Sequence, residues 1–564
     1  MRPSLRPLRI LFILLSAFST ALVAQLPVAP RLQTGFNAIQ ESDLRSNLTF
    51  VAGDGLAGRM SLQPGDDAAA EWVVSEFAKA GLQPAATDTS GKPSFLQGVP
   101  LIEYKPDPSA TVLDLSRREG TQQQWRAPVV SCAFRNNVDV SGGLVYVGYG
   151  ITAPELNYDD YANVDVRGKI VLLMEHEPQE DDPKSIFNGT GNTRYATSRV
   201  KLLNAQRHGA IAVLLMPEPN ATHVPTSKRL ANVLAGVTAK RLTPIPLQAI
   251  ADDEVDIALM SVPPAVAEEL LQNSGATAKE LQSSIDRDLR SHSREIAGVQ
   301  LHLHANNSST RAATTYNVAG LLPGRDSALT AETVIVSGHH DHNGASEVEE
   351  QSGQRHLDIW HGADDNGSGT VGVVELARAF AANPIKPKRS ILFVVFASEE
   401  RGLLGSYYMS QHPLRPLATT RAMVNFDMIG RDERPSTQTD GVIEIPADTT
   451  NRLNLVGTLY SPDFLHIVQR EDEHIGLTLD DRFERDTALG IFFRSDQFPF
   501  ILHDVPALWF FTGFHPDYHH VTDTVDKIDF SKMTKIVRLS YLTLFAIADE
   551  KRTPKFVANP ALGK

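Results

Sequence analysis

The chain has one cysteine, Cys132, in 564 residues. No intramolecular disulfide can form, so the fold must be held by its core or by metal. Positive charge is also scarce. Lys and Arg total 53 against 67 Asp and Glu, a formal net charge of −14, which argues against an electrostatic nucleic-acid partner. Long apolar runs are missing except for one, from Ile10 to about Val23, with Arg2, Arg6 and Arg9 before it and Ala24 after it. That run is short for a membrane span of about 20 residues. A basic start, an apolar middle and a small-residue end describe a secretory signal over residues 1–24. The expectation is a secreted or periplasmic protein with no integral membrane span once the signal is cleaved.

What is present is ordinary globular texture, 42% hydrophobic and 21% charged. The length allows two to four domains. Residues 68–80 follow a helical apolar period and stop at Gly81. From about 130 short buried strands appear at 143–151, 168–174 and 210–216, with a helix at 199–208 ending at Gly209. This is a small α/β module that closes near 243–250 and a helix around 265–272. Residues 277–295 read as polar helix. A second α/β pattern begins near 314, with strands at 334–338, 391–398, 422–428 and 507–512 and helices at 369–380 and 405–411. It predicts a mixed, mainly parallel sheet flanked by helices. Sites in such sheets form at the carboxyl ends of strands.

Polar residues gather at those ends. VSGHHDHNG spans 336–344, HGADDNGSG 361–369, SEERGLLGS 398–406, NFDMIG 425–430 and HPDYHHVTDTVDKID 515–529. Strand alternation puts His339 and Asp341 on one face and His340 and His342 on the other. Asp364 and Asp365 alone could be helix caps. Asp427 could pair with Arg431. Glu399 and Glu400 side by side at a buried strand end need something cationic. Taken together, imidazoles and carboxylates without thiolate suit zinc, manganese or cobalt. The chain has no His-Glu-x-x-His, which excludes the helical zinc-protease site.

The ordered series GHHDH, GADDNGSG, ASEERGLLGS, NFDMIG, RSDQFPF and YHHVTDTVDKID resembles the co-catalytic zinc aminopeptidases of the M28 type over most of 310–535. Residues 143–173 resemble the protease-associated (PA) domain often inserted in that family. The resemblance implies a zinc exopeptidase core at 25–128 and 296–550, an inserted PA domain at 129–295 and a tail at 551–564. It implies two zinc ions. His339 and Asp427 would hold one, Glu400 and His519 the other, and Asp364 would bridge them. Glu399 would be the general base, Asp341 would orient the first site, and His340 and His342 would support or pack. The implied activity is removal of N-terminal residues from peptides. Alternatives on the same core are a carboxypeptidase or dipeptidase, a glutaminyl cyclase, or a receptor without catalysis. One departure stands out. Phe492 and Phe493 lie where some relatives carry a tyrosine that assists the oxyanion.

Overall fold

The computed structural model describes residues 25–560 except 135, 221–238, 440–441 and 487–488. The expected signal segment, 1–24, lies outside the described residues. Four apolar strands set the centre: Ser390–Phe396, Thr333–His339, Thr420–Phe426 and Ala507–Phe511. They are buried almost throughout, so both faces must be covered. They pair in that order, all parallel. Antiparallel strands extend both flanks. Asn307–Leu322, Leu96–Pro106 and Leu247–Ile250 follow on one side. Arg452–Val456 follows on the other, and Thr478–Asp480 pairs parallel with it.

Alternation along the central strands divides the core in two. Val334, Val336, Ile391, Phe393 and Val395 face the helices Glu41–Val51, Pro64–Lys79, Gly369–Ala382 and Phe530–Asp549. Ile335, Leu392, Val394 and Phe396 face Leu404–Gln411 and Gln497–Ile501. Among the described residues, no helix is long and apolar enough to cross a membrane.

A second sheet runs Gln122–Arg126, Val112–Arg117, Arg294–Ala305, Val138–Tyr146, Ile170–Met174, Ala212–Met216, Ala258–Ser261 and Ser131–Cys132. Its own buried cluster is closed by Pro264–Leu270 and Ala278–Asp288. The expected helix at 277–295 ends at Asp288, and the chain then becomes the strand Arg294–Ala305. The edges expected at 128/129 and 295/296 fall inside this sheet. The hairpin Val112–Arg126 joins it from before the first edge. Leu247–Ile250 leaves it to pair with Leu96–Pro106 in the large sheet.

Phe380 joins three elements of the large core. Its ring lies 4.7 Å from Tyr541, 5.9 Å from Phe545 and 6.0 Å from Phe393, and it is fully buried. Phe380→Ala is expected to cost about 3–5 kcal/mol. The urea midpoint of the purified variant reads this directly, and an unchanged midpoint would remove Phe380 from the framework.

Candidate metal centre

The strand Thr333–His339 ends by delivering His339 into a buried cluster. Its Nε2 lies 3.6 Å from Asp365 Oδ1, 3.6 Å from Glu399 Oε2 and 3.7 Å from Asp427 Oδ1. Its Nδ1 faces Asp341, 3.2 Å from the carbonyl and 3.5 Å from Oδ1. The Asp341 carboxylate also accepts the backbone N–H of Glu399 (2.9 Å) and of Glu400 (3.3 Å). One carboxylate therefore fixes the imidazole and the neighbouring strand end together.

The loop before Gly369–Ala382 is shaped by residues far away in sequence. Gly362 has φ 56°, and a Cβ there would lie 2.1 Å from the Asp365 carbonyl, so only glycine fits. Arg59, almost wholly buried, donates to the carbonyls of His340 (2.8 Å), Val51 (2.7 Å), His361 (2.7 Å) and Gly362 (2.9 Å). Burial lowers its pKa to about 10, with Asp341 and Asp365 opposing. Asp523 accepts the N–H groups of Asp364 and Asp365.

This scaffold separates the two aspartates and corrects the expected bridge. Asp364 turns away: Oδ1 accepts the Gly430 N–H at 2.7 Å, and Oδ2 lies 3.2 Å from His515 Nε2. Asp365 stands between the histidines instead. Its Oδ1 faces His339, and its Oδ2 lies 3.0 Å from His519 Nε2.

The second group forms on that side. His519 Nε2 is 3.2 Å from Glu400 Oε2, and His342 Nδ1 is 2.5 Å from Glu400 Oε1. His342 thus reaches the cluster, against the expectation from alternation. The strand ends at His339, so alternation does not extend to 342. His340 pairs instead with buried Asp66, 2.8 Å away. Glu399 and Glu400 diverge through the turn that follows the strand. Ser398 takes φ 56°, and Glu399–Arg401 is a single 3-10 turn. Successive side chains there are rotated by about a third of a turn.

The two glutamates are opposite electrostatically. Burial pushes Glu399 well above the usual carboxylate range, His339 opposes, and Asp427 and Asp496 add to the rise. Glu400 is held well below that range: burial opposes, but His519 and His342 outweigh it. Environments that pull neighbouring carboxylates apart mark acid–base assignments.

The donor set fits transition-metal ions. His339, Asp365 and Asp427 offer donor atoms within 4.8 Å of one another, as do His342, Asp365 and Glu400. His339 Nε2 and Asp365 Oδ2 are buried without a hydrogen bond. Imidazole and carboxylate are the ligands zinc takes when thiolate is lacking. Asp427 is oriented by Ser495 Oγ, which donates at 2.6 Å, and Ser495 in turn accepts from Asn425 Nδ2 at 2.8 Å. Arg431 pairs with Asp517 at 2.8 Å, not with Asp427.

Sequence reasoning missed Arg59, Asp523, Ser495 and Tyr518. The Tyr518 hydroxyl sits 3.3 Å from Arg494 Nη2. Burial raises its pKa; Arg494 opposes, and the charges of Asp365, Glu400 and Glu399 reinforce the rise. A phenol therefore stands near the cluster, whereas Phe492 and Phe493 pack on Phe498. Arg59 carried one sequence signal, a lone cation in the glycine-rich turn LAGRM.

Parts of the chain are similar to known proteins. Residues 317–543 match peptidase family M28, and residues 138–256 match the PA domain. The chain is 27% identical over 272 residues to leucine aminopeptidase 2 of Trichophyton rubrum, covering 44% of this chain and 50% of that protein. It is 32% identical over 139 residues to a probable zinc metalloprotease of Pyrenophora teres f. teres (strain 0-1), covering 23% and 28%. The chain thus spans half or less of the length of these curated relatives. A solved aminopeptidase from Aneurinibacillus sp. strain AM-1 aligns at 17% identity and TM-score 0.46, covering 92% of this chain and 97% of that one. From His339 to His519, the cluster lies within the stretch that matches peptidase family M28, and the match to the PA domain lies ahead of it in the chain.

Proposed function

We propose that this chain is an exported zinc aminopeptidase that removes N-terminal residues from peptides. One zinc ion would be held by His339, Asp365 and Asp427. The other would be held by Asp365, Glu400 and His519, with His342 beside them. The observation that carries this reading is the sharing of Asp365 between two imidazole–carboxylate groups, with Glu399 facing the first. The names of the similar proteins, leucine aminopeptidase and zinc metalloprotease, support the choice of reaction. Export rests on the basic and apolar pattern of residues 1–24.

Bound zinc would supply an acidified water and a polarised scissile carbonyl. The rest falls to the chain. Glu399 is the general base: its raised pKa suits it to take a proton and return it to the leaving amine. Glu400 stays ionised and serves as ligand. Asp341 is a positioning residue that holds His339 and both glutamate amides. The Tyr518 hydroxyl, steadied by Arg494, offers a donor to developing negative charge where Phe492 and Phe493 cannot.

Two tests address the base and the bridge. Glu399→Gln is expected to retain zinc while kcat on aminoacyl p-nitroanilides falls by about 10²–10⁴-fold. Full turnover in this variant would overturn the assignment, and preference for amino-blocked substrates would exclude an aminopeptidase. Asp365→Ala is expected to lose zinc from the cluster, whereas Asp364→Asn keeps it. Metal counting by plasma mass spectrometry after dialysis decides between the aspartates, and the reverse pattern would restore Asp364 as the bridge.

A further inference from the structure

We propose that His176, Glu180 and Glu218 form a separate site for a zinc-class divalent cation in the PA domain. The sheet register brings the ligands together. Ile170–Met174 and Ala212–Met216 are parallel neighbours, with Met174 opposite Met216. His176 and Glu218 each stand two residues beyond those partners, so they leave the sheet side by side. Glu180 follows His176 by four residues. The site therefore lies at the carboxyl ends of adjacent parallel strands.

The spacing accommodates a coordinated cation in place of a protonated imidazole. His176 Nδ1 lies 3.5 Å from Glu180 Oε2 and 3.5 Å from Glu218 Oε2. A charge-assisted hydrogen bond to carboxylate closes to about 2.7–2.9 Å. Tetrahedral ligands about 2.0–2.2 Å from zinc are separated by about 3.3–3.6 Å. The donor separations around His339, 3.6–3.7 Å, follow the same pattern. All three donors of the PA group lie within 4.8 Å of one another.

Two further observations point to a cation. Glu218 is buried, its side chain 3% exposed, and its Oε1 has no hydrogen-bond partner. The nearby lysine, Lys201, acts on this charge through space, while its Nζ donates to the carbonyls of Tyr149 (2.6 Å) and Met174 (3.1 Å). Glu177, beside the group, is engaged by the N–H and hydroxyl of Thr193. One imidazole and two carboxylates favour zinc, manganese or cobalt over calcium, which takes oxygen ligands.

The group has access to solvent and a neighbour of consequence. Glu180 and Glu218 line a cavity of about 480 Å³. His176 lines another of about 290 Å³, shared with Leu489, Gly490 and Phe493 of the peptidase module. Phe493 directly precedes Arg494 and Ser495, which hold Tyr518 and Asp427. A metal at His176 would stiffen the PA face of that segment.

Zinc per full-length chain is counted by equilibrium dialysis in the wild type, His176→Ala, Glu218→Gln, Asp365→Ala and the double variant Asp365→Ala/His176→Ala. One zinc fewer is expected in His176→Ala and in Glu218→Gln than in the wild type. Asp365→Ala is expected to keep one zinc, and the double variant none. In Asp365→Ala, added zinc should raise the thermal midpoint; in the double variant it should not. This second readout stands even if a single variant folds poorly. Equal zinc in the wild type, His176→Ala and Glu218→Gln would overturn the PA site. Equal zinc in Asp365→Ala and the wild type would instead overturn the peptidase-site reading and leave this comparison intact.

Discussion

Negative charge buried at the carboxyl ends of parallel strands governs this molecule. Asp341, Asp364, Asp365, Asp427, Asp496 and Asp523 are all buried at one end of the large sheet, with Glu399 and Glu400 nearly so. Carboxylates taken from water without compensation cost several kcal/mol each, or they take up protons. Arg59 is the buried arginine at their centre, and it donates to carbonyls. The histidines cannot all be cations beside one another and remain good ligands. An arrangement of this kind is stable when divalent cations carry the balance: the orphaned His339 Nε2 lies 3.6 Å from Asp365 Oδ1, and the orphaned Asp365 Oδ2 lies 3.0 Å from His519 Nε2.

The same charge explains why the surrounding loops are so heavily tied. Asp523 gathers the N–H groups of Asp364 and Asp365, Asp341 gathers those of Glu399 and Glu400, and Arg59 gathers four carbonyls. Each tie joins segments distant in sequence. Residues 54–66, which carry no ligand, are therefore part of the site through Arg59 and through the Asp66–His340 pair. Loss of any such tie would release like charges toward one another.

The central strands were legible because they are apolar on both faces, a pattern with no solvent-facing alternative. Seven site positions were named from sequence, and six of them enter the cluster: His339, Asp341, Glu399, Glu400, Asp427 and His519. Asp364 was chosen over Asp365 because loop direction is set by Asp523 and Gly430, neither of them local. His342 was set aside because alternation was carried beyond His339, where the strand stops. The strands Leu96–Pro106 and Asn307–Leu322 were not read at all: they are only partly buried along much of their length, so they lack a strong apolar signature. The exchange of Leu247–Ile250 and Val112–Arg126 between sheets left no mark, because pairing partners depend on topology rather than composition.

The adjacent glutamates show how backbone geometry becomes chemistry. A continuing strand would send one of them to each face of the sheet and so bring only one to the cluster. The left-handed Ser398 and the 3-10 turn after it keep both at the strand end, one toward His339 and the other toward His342 and His519. The side chains then differ by what they face: Glu399 meets one imidazole amid other carboxylates, and Glu400 meets two imidazoles. That asymmetry alone separates their proton affinities, without any difference in residue type. A base and a ligand can therefore be neighbours in the chain, provided the turn between strand and helix is tight enough to aim them apart.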